Sequence, residues 1–140
     1  MANTAGVCIS YKQDLLNGVH QPGDTYYIAL FTSSGTLSNA ITSYTSGMAG
    51  EVTGTGYSAG GIALSGFTVS LSSGTAYLTW STNPFWASST LSNVSAALIY
   101  NVSRSNKALA VLTFSPVSSS GNTLTVVLPT AGASSTITLT

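Results

Sequence analysis

Few side chains in this sequence can do acid–base, nucleophilic or metal chemistry. There is one histidine, His20, one cysteine, Cys8, and three carboxylates, Asp14, Asp24 and Glu51. A Ser-His-acid triad would need His20 and one of those carboxylates. Ser and Thr make up nearly a third of the chain, so a serine near His20 carries no information. His20 falls in a helix-to-strand turn, where a solvated or hydrogen-bonded histidine is the ordinary state. A Cys8–His20 thiol dyad is no better supported, because a free cysteine is most often buried and inert. The spacing of these residues fits no zinc or calcium pattern. The expectation is a protein that is not an enzyme and has no cofactor or metal.

Gly54-Thr55-Gly56-Tyr57-Ser58-Ala59 fits the G-x-G-x-x-A dinucleotide fingerprint. Its context does not: no helix pattern follows, and no acidic residue lies beyond Glu51 to hold a ribose. Gly54, Gly56, Gly60 and Gly61, with Glu51 and Tyr57, are expected to build a structured loop whose backbone comes too close to its neighbours for side chains. Among the aromatics, Trp80 and Tyr100 alternate with aliphatic residues and read as core. Phe85 and Trp86 follow Pro84 in an apparent loop and are candidate partner contacts, Trp86 being equally suited to anchor that loop within the subunit.

The charged residues are Lys12, Asp14, Asp24, Glu51, Arg104 and Lys107, 4% of the chain, against about 25% in a typical soluble domain. Such a surface has little repulsion to keep it from other protein, which implies life in an assembly. Net charge is zero, and no basic stripe exists to neutralise phosphates, so nucleic acid is not an expected partner. No run approaches the roughly 18 apolar residues of a membrane helix. The start of the chain lacks a signal-peptide pattern, so synthesis in a cytosol without secretion is expected. With Glu51 the only acid of its loop, a Glu51–Arg104 ion pair within or between subunits is a further expectation.

The elements that would position these residues are mostly strands. A helix is expected near residues 11–17, with Ser10 and Gln13 as a capping box and Gly18 at its end. Thr25–Thr32 is apolar on both faces, as a central strand would be. Residues 33–61 form a long Gly/Ser/Thr loop. Ile62–Leu71 and Ala76–Trp80 alternate around a Ser73-Gly74 turn, and Ser81–Thr90 reads as a second loop. Val94–Asn101 reads as a central strand, Lys107–Phe114 returns after a turn, and Asn122–Leu128 alternates. The tail, Ser134–Thr140, alternates Ile137 and Leu139 with threonines. It is expected either to close the subunit's own sheet or to join a partner's, so Ile137 and Leu139 are also candidate contacts. These segments predict one all-β domain over residues 1–140, with an N-terminal arm at 1–9. They suit a jelly-roll-like two-sheet sandwich of about eight strands.

The stretch Glu51-Val-Thr-Gly-Thr-Gly-Tyr-Ser-Ala-Gly-Gly61 resembles a segment of small virion proteins of tailed phages. Leu16–His20, Tyr27–Ser34, Ala97–Asn101 and Ser105–Phe114 are similar to the same family, so the likeness spans roughly residues 12–115. Within it, the chain is most similar to the jelly-roll cement (decoration) proteins of short-tailed phages, the Bordetella-phage type among them. It carries fewer acidic residues than that family near Ser81–Trp86. The resemblance implies a structural protein on the outside of a phage capsid that binds the major capsid protein, bridges its subunits and self-associates, as a homodimer. The alternative from a different class is a ligand- or glycan-binding module of a phage tail or fibre.

Overall fold

A computed structural model describes residues 3–128 and 137–139. Within them the chain forms two antiparallel sheets of eight strands in all, and one short helix. In chain order these are β1 (Gly6–Val7), α1 (Ile9–Leu16), β2 (Tyr26–Thr32), β3 (Ile62–Ala63), β4 (Phe67–Ser72), β5 (Thr75–Trp80), β6 (Phe85–Asn101), β7 (Lys107–Thr125) and β8 (Ile137–Leu139). The large sheet runs β1-β7-β6-β2-β3 and the small one β4-β5-β8.

β2 and the inner half of β6, residues 94–101, are apolar on both faces because both faces of the large sheet are covered there. Tyr26 points to the small sheet, 5.3 Å from the Phe67 ring and 5.6 Å from Trp80. Tyr27 lies opposite Tyr100 in the ladder, and Tyr100 stacks at 4.6 Å on Tyr44 from the long loop. The loop therefore acts as a third layer, burying Leu37, Tyr44 and Val52.

Three local expectations need correction. The helix begins at Ile9 with Cys8 as its N-cap and no side-chain cap, so the Ser10–Gln13 capping box does not form; the Ser10 hydroxyl is buried without a partner among the described residues. The C-terminal end behaves as expected: Gly18 donates to the Leu15 carbonyl and Val19 to that of Asp14, the double bond of a Schellman ending. Ile62–Leu71 is two strands in different sheets, broken at Gly66.

The third correction concerns Ser81–Thr90, which is not all loop. β6 starts at Phe85 and β7 runs to Thr125, so one long hairpin absorbs both that segment and most of Asn122–Leu128. Ser88 and Asn93 sit at positive φ where its register shifts, the mark of bulges. Serine hydroxyls replace the ladder bonds lost there. Ser119 Oγ accepts from the Leu91 N–H at 3.2 Å and Ser118 Oγ from that of Asn93 at 3.0 Å. Some of the chain's many serines thus serve inside its sheet, where buried or bulged backbone needs a substitute partner.

Candidate functional site

The Glu51–Gly61 segment is an edge cover. β3 pairs with β2 only at Tyr27 and Ile28, which leaves the rest of that edge open. The loop completes it. Val52 donates to the Leu30 carbonyl at 2.9 Å, and Thr32 donates to that of Gly50 at 2.8 Å. The Leu30 N–H donates to the Tyr57 hydroxyl at 3.0 Å. Tyr57 in turn donates its own hydrogen bond to Glu51 Oε1 at 2.9 Å.

Glu51 is the knot of this arrangement. Its carboxylate also accepts from the Gly60 N–H at 2.7 Å and from the Tyr44 hydroxyl at 3.0 Å. Tyr100 closes the circle by donating to the Gly60 carbonyl at 2.6 Å. Burial first, then the hydrogen bond to Glu51 and its charge, push the Tyr44 hydroxyl up to about 12. Tyr57 is raised further, again chiefly by burial. Both stay protonated at neutral pH, as donors to a carboxylate must.

The glycines of the segment face protein. A Cβ on Gly54 would strike the Thr90 carbonyl oxygen, and one on Gly56 would sit 2.9 Å from Ser89 Cα. A phosphate cradle would leave such positions open to a ligand. Here β6 fills them, and β2 fills the space at Gly61.

Most remaining charge gathers in a second cluster between α1, the following turn and the β6–β7 junction. Arg104 grips Asp24 with two bonds, 2.9 Å from Nε and 3.0 Å from Nη2. The expected Glu51–Arg104 pair is therefore corrected: Arg104 belongs to Asp24 and Glu51 to the tyrosines. Asn101 Nδ2 donates to Asp24 Oδ2 at 2.8 Å and meets His20 Nδ1 at 3.0 Å. The carboxylate fixes the Asn101 orientation, since a flipped amide would set oxygen against oxygen. His20 Nδ1 must then accept, so its proton is on Nε2, which faces Asp14 at 3.5 Å. Lys107 reaches the other Asp14 oxygen at 3.3 Å.

Both ring nitrogens of His20 thus face partners, and among the described residues no hydroxyl or thiol is hydrogen-bonded to the ring. Burial pushes the Cys8 thiol up to about 11, so at neutral pH it is not a thiolate.

The cluster sets an acid response. Burial lowers the His20 value below its ordinary 6.5 despite Asp14. Hydrogen bonds from Arg104 foremost, then Asn101 and the Gln21 N–H, hold Asp24 well below its ordinary 3.8 against a smaller opposing effect of burial. In both cases the unfolded chain binds protons more readily. Stability is then full above pH 6.5, falls as His20 charges below that, and falls again as Asp24 is protonated below 3.8. The melting temperature should decline from pH 8 to pH 5, and His20→Gln should remove most of that decline. An unchanged melting temperature over this range would contradict the buried neutral imidazole.

The candidate partner contacts divide. Phe85 is 56% exposed, but Trp86, next along β6, turns inward and is 3% exposed, with its ring 6.1 Å from Tyr57. Strand alternation decides this, and a loop reading could not. Ile137 is also buried. β8 pairs with β5, Ile137 opposite Leu78 and Leu139 opposite Ala76, so this part of the tail closes the subunit's own small sheet. Residues 134–136 and 140 lie outside the described residues. Sequence reasoning missed the other exposed apolar side chains, Leu16, Val69, Leu71, Val117 and Val127 among them. Val117 and Val127, with Phe114, line a groove of about 310 Å³ beside the long hairpin.

No protein-family model matches this chain, and no curated protein or solved structure matches it.

Proposed function

We propose that this chain is a structural virion protein that binds the outer surface of a phage capsid, bridges major capsid protein subunits and self-associates. One observation carries the reading beyond the resemblance of the Glu51–Gly61 segment. Val69, Leu71, Phe85, Val117 and Val127 are exposed, and all lie in stretches without a charged residue, 52–103 and 108–140. Scattered apolar residues are ordinary on a surface. Set among Ser and Thr with no charge nearby, they suit dry contact with another protein surface.

The mechanism is mass action. A subunit that binds the assembled shell and not its dissociated parts stabilises the shell in proportion to its occupancy. Apolar burial contributes roughly 25 cal/mol per Å² before ordering costs. With so few charges, ionic screening has little to weaken. The test is a wash of purified virions at about 1 M salt, well beyond the screening of surface ion pairs. The protein should stay on the shell. Release by salt alone would overturn the apolar contact.

A second reading, glycan binding on a tail or fibre, draws on a polar groove of about 400 Å³. Thr32, Ser34, Thr53, Ser92, Asn93 and Glu51 line it. It ranks second because, among the described residues, no aromatic ring lines the groove to stack on a sugar.

A further inference from the structure

The small sheet ends in an open strand. β4 is the outer member of the order β4-β5-β8, and among the described residues no strand pairs with its free edge. That edge presents a row of backbone N–H and C=O groups, a template for another strand. Phe67, Val69 and Leu71 share one face, opposite Trp80, Leu78 and Ala76. The face begins in the core, where Trp80 is 2% exposed, and ends in the open, with Val69 at 59% and Leu71 at 75%. Beside it lies a small apolar cavity of about 130 Å³ reaching Tyr11, Leu15 and Ile137. Soluble proteins protect such edges with charge, proline or a bulge. β4 has no charged residue and no proline, and its pairing with β5 runs without a register shift.

We infer that β4 pairs antiparallel with β4 of a second copy of this chain across a two-fold axis, joining two three-stranded sheets into one of six. Two observations select a second copy over an unlike strand. In a register centred on Val69, Phe67 faces the second copy's Leu71 and Thr68 faces its Ser70. Apolar then meets apolar and hydroxyl meets hydroxyl along the strand, which is the self-complementarity a two-fold contact requires. A charge near such an axis would face its own copy, and residues 52–103 contain none. The contact is one strand wide, below the standard interface of about 1,600 Å², so a reversible dimer is expected. The inference deepens the self-association part of the reading above and does not depend on shell binding.

Sedimentation of the full chain from about 1 to 200 μM tests it, a span that brackets reversible pairing. Wild type should dimerise within that range. Val69→Lys, which sets like charges face to face, and Leu71→Lys, which sets a charge against the second copy's Phe67, should each weaken the dimer by more than about tenfold. Leu16→Lys, at an exposed leucine on α1, should not weaken it. A dimer that persists in both β4 variants overturns the strand assignment alone. A wild-type protein that is monomeric throughout overturns self-association as well, and leaves shell binding to its own test. If the lysine variants misfold, Val69→Cys decides: under mild oxidation it should form a disulfide-linked dimer, whereas Leu16→Cys should not. No such dimer overturns the inference.

Discussion

Gly61→Val should leave the protein unable to fold. Gly61 has φ +78°, and a Cβ there would overlap the Ile28 carbonyl oxygen and come within 2.9 Å of Ala29 Cα. Both neighbours are backbone of β2, and both residues are fully buried. Neither can yield without breaking the ladder to β6. Left-handed backbone costs a side-chain-bearing residue about 1–2 kcal/mol by itself. The overlap lifts the total above about 4–5 kcal/mol, where single changes are exceptional, against a total stability of about 5–15 kcal/mol. Far-ultraviolet circular dichroism should show no cooperative melting. Gly56→Val, against Ser89, should act in the same direction. Gly47→Ala is the control. Its φ is +85° but nothing among the described residues lies within 4 Å of the added carbon, so only the backbone cost of about 1–2 kcal/mol applies. If Gly61→Val melts within a few degrees of wild type, the loop does not press on β2 as described.

Glu51→Leu should cost about 2–4 kcal/mol. It leaves the Tyr44 and Tyr57 hydroxyls and the Gly60 N–H without their acceptor, at about 1–3 kcal/mol for each donor that water cannot reach. The side chain is only half-buried, which holds the total to the lower part of that sum. The melting temperature should drop by about 10 °C. Glu51→Gln keeps one acceptor oxygen and should fall between the two. A double-mutant cycle of Glu51→Leu with Tyr57→Phe should show coupling, because each removes the same bond. Thermal stability of Glu51→Leu equal to wild type would mean that water serves these donors and the carboxylate is not the knot of the loop.

The sequence made β2 and the inner half of β6 legible because both are apolar on both faces, a pattern that survives any packing detail. The Ser73-Gly74 and 103–106 turns were legible through residues that accept positive φ. Ser73, Gly74, Ser105 and Asn106 all adopt it. The outer half of the β6–β7 hairpin was not legible. Its alternation is broken by bulges at Ser88 and Asn93, and serine hydroxyls there do the work of ladder bonds, so it reads as loop composition. Trp86 stays undecided between anchor and partner contact for the same reason, since its inward direction follows only once Phe85–Trp86 is known to be strand. The loop motif was recognised as structural from its glycines. That Glu51 binds tyrosines and not Arg104 depends on contacts between residues far apart in the chain, on which spacing is silent. The exposed Val69 and Leu71 were hidden by a regular alternation that looked like ordinary core.

A structural shell protein is present wherever the shell lattice repeats, whereas a tail module is present only at the tail. The most direct measurement is the ratio of this chain to the major capsid protein in purified virions after the high-salt wash. The account predicts a fixed ratio that corresponds to hundreds of copies on each particle, distributed over the capsid exterior. A handful of copies per particle, or none left after the wash, would contradict it.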